Sequence, residues 1–308
     1  MAQALAESEA APAEPGTLAL LDAAYASPRA HVVGITGPPG VGKSSLVSRL
    51  LAAYRQRERT VGVIAIDPSS RRTGGALLGD RTRLDIAPED DGVFVRSMAS
   101  RGRLGGLAAL VPAAMVVMRA AYDVVLIETV GVGQAETEVA AVSDSVVLCV
   151  QPGAGDSLQY LKAGIAEIPD LAVVTKADMG GLARRTEDDL RAALAQQPPR
   201  TAGWAVPVVL VSAQDGQGIP NLIETLGAHR ALLAGGRLEV QRRSQAASWL
   251  QAFVLEEFGR EGLARADRLS RDAGAPPEAS PFRRMIELDR TLRERAPVRP
   301  SARASPKA

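Results

Sequence analysis

The residues best placed to do chemistry are the run GPPGVGKSS, Gly37 to Ser45. Gly37, Gly42, Lys43 and Ser44 fit the spacing G-x-x-x-x-G-K-[ST], the signature of a loop that cradles phosphate. Residues without Cβ let the main chain curl, so that N–H groups from Gly40, Val41, Gly42, Lys43, Ser44 and Ser45 converge on an anion, with Pro39 shaping the turn. The helix beginning there adds partial positive charge and unpaired donors. Lys43 would set an ammonium against β- and γ-phosphates, and the Ser44 hydroxyl would ligate Mg2+.

Acidic residues stand where such a loop needs them. Glu128 ends the apolar run VVLIE, in the Walker B position with Glu for the commoner Asp, and Gly131 and Gly133 follow as a flexible γ-phosphate switch. Asp67 closes TVGVIAID and Asp80 lies in LGD; both are candidates for Mg2+ or its water network, although Asp67 also reads as a turn former before Pro68. Gln134 suits the orientation of a hydrolytic water or plain solvent exposure. Asp156 reads equally as a helix N-cap, and Lys162 equally as a surface lysine.

A third stretch, LAVVTKADMGG, resembles the guanine motif N-K-x-D with Thr175 in place of Asn. Asp178 can accept from guanine N1–H and the 2-amino group, and Lys176 can lie along the base. A wrong base would leave buried polar groups unpaired at about 1–3 kcal/mol each. Thr175 keeps a hydroxyl but not an amide's donor plus acceptor, which predicts fewer ties to the phosphate loop or weaker base affinity. Ser212 and Ala213, with Gln214 beside them, would place main-chain N–H donors near guanine O6.

These residues need strands to hold them, and the pattern supplies strands. His31–Thr36, Thr60–Asp67, Val93–Met98, Val124–Glu128, Ser145–Val150, Leu171–Val174 and the stretch from Val206 are apolar or β-branched runs, alternating with helical patterns such as Leu46–Tyr54, Leu110–Ala121 (Pro112 near its start) and Leu222–Leu233. That predicts an α/β fold of the P-loop NTPase kind, a mostly parallel sheet with helices on both faces, plus a helical C-terminal extension. The expected organisation is a disordered start over 1–16, a nucleotide domain over 17–235, a helical arm over 236–295 for dimer or partner contact, and a loose tail over 296–308. Packing of the arm on its own domain is the competing expectation.

Composition closes several other doors. Among 308 residues the net charge is +1, so bulk charge gives no reason to expect nucleic acid. Cys149 is the one cysteine and sits in SVVLCV, which predicts core packing and excludes an internal disulfide. Two histidines leave little for a His/Cys metal site. The first residues lack a basic region and an apolar core, and no run is long enough to span a bilayer, so a cytoplasmic protein away from membranes is expected.

Taken together, the strings IDPSSRRTGGALLGDRTR, FVRSMASRGRLGGL, IETVGVGQAE, QPGAGDSLQYLKAGI, TKAD and VSAQDGQGI resemble the MeaB/ArgK family of P-loop GTPases, in order and spacing, over roughly Ala30 to Leu233. The helix from Leu238 resembles that family's C-terminal extension. The resemblance implies GTP hydrolysis that supports an adenosylcobalamin-dependent acyl-CoA mutase, usually methylmalonyl-CoA mutase, by gating cofactor loading and removal of inactive cofactor. It also implies a homodimer through the arm, with GTP/GDP and Mg2+ bound and no cobalamin site of its own. By position it assigns Lys43 and Ser44 to phosphate and Mg2+; Asp67, Asp80 and Glu128 to the metal and hydrolytic water; and Gly131 to Glu136 to one switch. Gly153 to Lys162 become a mutase-responsive switch in which Lys162 serves partner-stimulated hydrolysis, and Asp178 reads the base. Thr175 for Asn and Tyr160 for Gly are this chain's departures. The rival expectations are a P-loop kinase, which would need an acceptor site and lid, a nickel-insertion GTPase, which would need clustered His or Cys, and a regulatory binder whose hydrolysis is incidental.

Overall fold

The computed structural model describes residues 1–68, 90–100, 110–129, 131, 138–153, 167–273 and 280–294. Seven strands form one sheet: β1 (His31–Thr36), β2 (Val61–Pro68), β3 (Val93–Ser100), β4 (Val124–Glu128), β5 (Ser145–Val150), β6 (Leu171–Val174) and β7 (Val208–Leu210). Their order is β3-β2-β4-β1-β5-β6-β7, and every neighbouring pair is parallel. Parallel strands covered on both faces need no polar alternation, which is why β1 and β5 are buried at every residue.

Helices cover both faces. Helix α1 (Ala2–Ala10), α2 (Pro15–Ala26) and α4 (Leu110–Ala121) share one core with Val32, Ile64, Val125 and Val146. On the other face α3 (Lys43–Arg55) and α6 (Ile219–Leu233) pack on Val33, Ile35, Leu126 and Val147, while α5 (Gly181–Leu194) packs beside β6 and β7. Pro112 sits in the first turn of α4, where its missing N–H costs nothing.

The first residues depart from expectation. Residues 2–10, read from composition as unstructured, form α1: Leu5 is fully buried in the core, and Glu9 pairs with Arg96 on β3 at 2.6 Å. Alanine-rich sequence is a good helix former once one apolar residue finds a partner surface.

The C-terminal region divides at Gly259. Helix α7 (Arg237–Ala273) is interrupted there by φ 66°, ψ −169°, and α8 (Pro281–Glu294) follows. Before the break α7 packs on the nucleotide domain itself. The Arg242 guanidinium grips both oxygens of buried Asp144 at 2.9 and 2.7 Å, and also donates to Ala30 O. Gln241 donates to Ser143 O and Asp144 O, Gln245 to Ala140 O and Ser143 O, and Trp249 Nε1 to Ala141 O. Across the break a small separate core of Val254, Ala266, Leu288 and Leu292 joins both parts of α7 to α8. The tail over 296–308 lies outside the described residues. Among the described residues no helix is long and apolar enough to cross a membrane.

Candidate nucleotide site

The register brings the carboxyl ends of the strands, and with them the predicted residues, to one rim. Ile35 pairs with Glu128, and Ala65 of β2 pairs with Glu128 from the other side. The phosphate loop therefore leaves β1 beside the Glu128 carboxylate, and the main chain of Asp67 lies two residues further along β2. Val150 pairs with Val174, and Val174 with Leu210, which sets 151–153, 175–178 and 211–214 along the same rim. This crevice, where the chain crosses from one side of β1 to the other, is where open α/β sheets bind ligands.

The loop has the cradle shape that the spacing predicts. Gly37 adopts φ 138° with its α-carbon so close to β5 that a Cβ would stand 2.3 Å from Cys149 O. Lys43 begins α3, is only 6% exposed, and donates from Nζ to Gly37 O at 2.7 Å and Pro38 O at 2.9 Å. These carbonyls hold the ammonium over the loop. The Ser44 hydroxyl donates to Glu128 Oε1 at 2.6 Å. Behind the loop, burial pushes the Cys149 thiol up to about 12, so it stays protonated and acts as packing.

Gly131 completes the phosphate end. Its φ is 83°, and a Cβ there would lie 2.5 Å from both Gly37 O and Lys43 Nζ. The start of the predicted switch thus lies against the loop's lysine, and just before it the Thr129 hydroxyl bonds Thr36 Oγ1 at 3.2 Å. Gln134, the rest of 132–137, Asp80, Tyr160, Lys162 and Asp156 lie outside the described residues, as does the side chain of Asp67.

At the base end, Thr175 keeps a tie to the phosphate loop. Its hydroxyl donates to Val41 O at 2.7 Å, with Val150 O at 3.2 Å sharing the same proton. The loss relative to Asn is the second function of an amide, not the tether. Lys176 adopts φ 53°, a conformation uncommon outside glycine, and its Nζ donates to Gln151 Oε1 at 2.7 Å. Asp178 is exposed in the short 3-10 turn Ala177–Met179, held in place by Ala177 N–H donating to Val211 O at 3.1 Å.

One expected donor points elsewhere. The Ser212 N–H is committed to Gln217 O at 3.0 Å, because the 212–217 loop closes on itself. Of the Ser212–Ala213 pair, only the Ala213 amide has no acceptor among the described residues. Arg49, which sequence reasoning passed over, donates from α3 to Ala213 O and, at 2.7 Å, to Gln214 O. An arginine on the exposed side of a helix carries no sequence signal for such a role.

A glycine cradle at a helix N-terminus, a lysine over it and a serine–glutamate pair beside it define a P-loop nucleoside triphosphatase. The chain belongs to the MeaB family: the family model described as methylmalonyl Co-A mutase-associated GTPase MeaB matches residues 1–266. A Pyrococcus abyssi protein provisionally named a GTPase is 46% identical over 228 residues, 73% of this chain and 70% of that one. A mouse protein named methylmalonic aciduria type A homolog, mitochondrial, is 39% identical over 235 residues, 73% of this chain and 56% of that protein. A crystal structure described as LAO/AO transport system kinase matches with TM-score 0.65 and 25% identity, covering 94% of this chain and 92% of that chain. The chain is accordingly a GTPase, which binds guanine nucleotide and cleaves the bond to the terminal phosphate of GTP.

Proposed function

We propose that this GTPase is Mg2+-dependent and acts as a chaperone for an adenosylcobalamin-dependent acyl-CoA mutase, methylmalonyl-CoA mutase or a close relative. In this reading it gates cofactor loading and removal of inactive cofactor, works as a homodimer through its C-terminal helices, and has no cobalamin site of its own. The observation that carries the reading is the match to a mutase-associated GTPase family across residues 1–266.

The chemistry asked of the protein is mostly positioning and charge stabilisation. Backbone N–H groups of residues 40–45 hold the phosphates, and Lys43 neutralises charge that builds on the β–γ bridge as the terminal phosphoryl group passes to water. Ser44 and Glu128, hydrogen-bonded at 2.6 Å, offer two oxygen ligands that fit Mg2+, a cation that takes one or two protein oxygens and completes its shell with phosphate and water. When bound, the ion supplies charge neutralisation at the β- and γ-oxygens. In the same reading Asp67 and Asp80 extend this acidic shell, Gln134 orients the attacking water, and Lys162 completes the site when the mutase docks. Thr175, Lys176, Asp178 and the 212–214 loop receive the base.

Pull-down of this protein with acyl-CoA mutases, in GTP, GDP or no nucleotide, tests the partner; nucleotide-dependent association and faster GTP turnover are expected. Association with no mutase in any state refutes the chaperone role. Labelled γ-phosphate appearing on an acceptor other than water would instead establish a kinase.

A further inference from the structure

We propose that Arg49 is a positioning residue for base selectivity: by holding the Ala213 and Gln214 carbonyls it fixes the loop so that the Gln214 amide turns toward the base beside the Ala213 amide, which the loop's own Ser212 O–Gly216 N–H bond orients. The inference rests on the reading that the loops after β6 and β7 receive guanine.

In each peptide unit the C=O and the next N–H are coplanar and point in opposite directions. Ser212 O accepts from Gly216 N–H at 3.0 Å, so the Ala213 N–H must face away from the loop's interior. Ala213 O accepts from Arg49 Nε, so the Gln214 N–H faces away from α3. Gln214 O accepts from Arg49 Nη2 at 2.7 Å, and on the far side of that plane the Asp215 N–H reaches Ser212 Oγ at 3.5 Å. Three successive planes are thereby fixed, two of them by one guanidinium. The two amides left over, Ala213 and Gln214, have no acceptor among the described residues. They are donors only, and a purine carrying oxygen at C6 suits them where one carrying an amino group does not.

Arg49 also lies six residues beyond Lys43 on the helix whose first turn holds phosphate. Its two bonds, and the Thr175 bond to Val41 O, strap both base loops to the phosphate-binding unit. The forked geometry matters, since a guanidinium spans two adjacent carbonyls and an ammonium does not.

Calorimetry on Arg49→Ala, Arg49→Lys and Asp178→Asn separates the possibilities, using GTP, ATP and tripolyphosphate with Mg2+. Arg49→Ala should weaken GTP about tenfold, as expected for two charge-assisted bonds, and leave ATP and tripolyphosphate unchanged. Arg49→Lys should recover part of the loss. Asp178→Asn should reduce the GTP/ATP preference independently. If Asp178→Asn relaxes the preference but Arg49→Ala does not, or weakens all three ligands equally, Arg49 has no role in selectivity. If neither variant moves the ratio, the base-site reading itself falls and the inference with it.

Discussion

Between pH 5 and 7.5 histidine is the ordinary side chain that titrates, and this chain has two, His31 and His229, both buried. They belong to one hydrogen-bonded chain. His229 Nε2 donates to Thr201 Oγ1 at 3.2 Å, since the Thr201 hydroxyl proton goes to Asp170 Oδ1 at 3.0 Å. His229 Nδ1 therefore accepts from Ser145 Oγ at 2.7 Å, and Ser145 Oγ accepts from His31 Nε2 at 2.7 Å. Burial lowers the His31 pKa to about 4, with nearby Arg230, His229 and Arg242 acting in the same direction and Asp144 opposing. His229 is lowered too, by burial first and by Arg200, against Asp170 and Asp144. Because the unfolded chain takes up these protons more readily, the stabilisation is complete above the unfolded value of 6.5 and drains away as pH falls towards 4. For His31 alone, a folded value near 4 means a loss of about 2 kcal/mol by pH 5 and about 3 kcal/mol by pH 4. Urea unfolding at half-unit steps from pH 7.5 to 5 should show this slope. His31→Gln keeps a donor for Ser145 and carries no titrating proton, so it should be less stable at pH 7.5 yet flatter with pH. An unchanged slope in that variant, or a wild type whose midpoint does not move, would refute the argument.

Other tests bear on the site and the arm. Gly131→Ala should cut GTP turnover ~100-fold or more while the protein stays folded, because a Cβ at φ 83° would meet Gly37 O and Lys43 Nζ at 2.5 Å and displace the ammonium. Single-turnover kinetics with circular dichroism would check it. Thr175→Val removes the hydroxyl donor from the Val41 carbonyl, while Val150 O keeps the Thr175 N–H, and should weaken GTP binding roughly tenfold by calorimetry. Arg242→Ala strands the buried Asp144 carboxylate and should lower unfolding free energy by ~3 kcal/mol, most of it recovered in Arg242→Ala/Asp144→Asn.

The phosphate loop, its strand and its helix were legible because their chemistry is contiguous: Gly37 to Ser45 is both motif and turn. Leu110–Ala121 was legible to the residue from an apolar run with proline in its first turn. What escaped was non-local. Helix α1 depends on Leu5 meeting a surface built a hundred residues later. Ser145 joins two histidines separated from it by 114 and 84 positions. The Ser212 amide was misassigned because a motif shows which residues line a loop, not which way each peptide faces. Arg49 and Gln245 are ordinary exposed-looking polar residues until their acceptors come into view.

The seam at residue 235, natural by composition, is a poor place to shorten the protein. Gln241, Arg242, Gln245 and Trp249 terminate main-chain and carboxylate groups that lie beneath them. A chain ending before them would uncover the buried Asp144 and the carbonyls that follow the switch. Gly259 is no cleaner a cut: Val254 ahead of it shares one core with Ala266 behind it and with Leu288 and Leu292 of α8, while Phe282 of α8 stacks on Trp249, so the arm loops back and is keyed into the catalytic body at both ends.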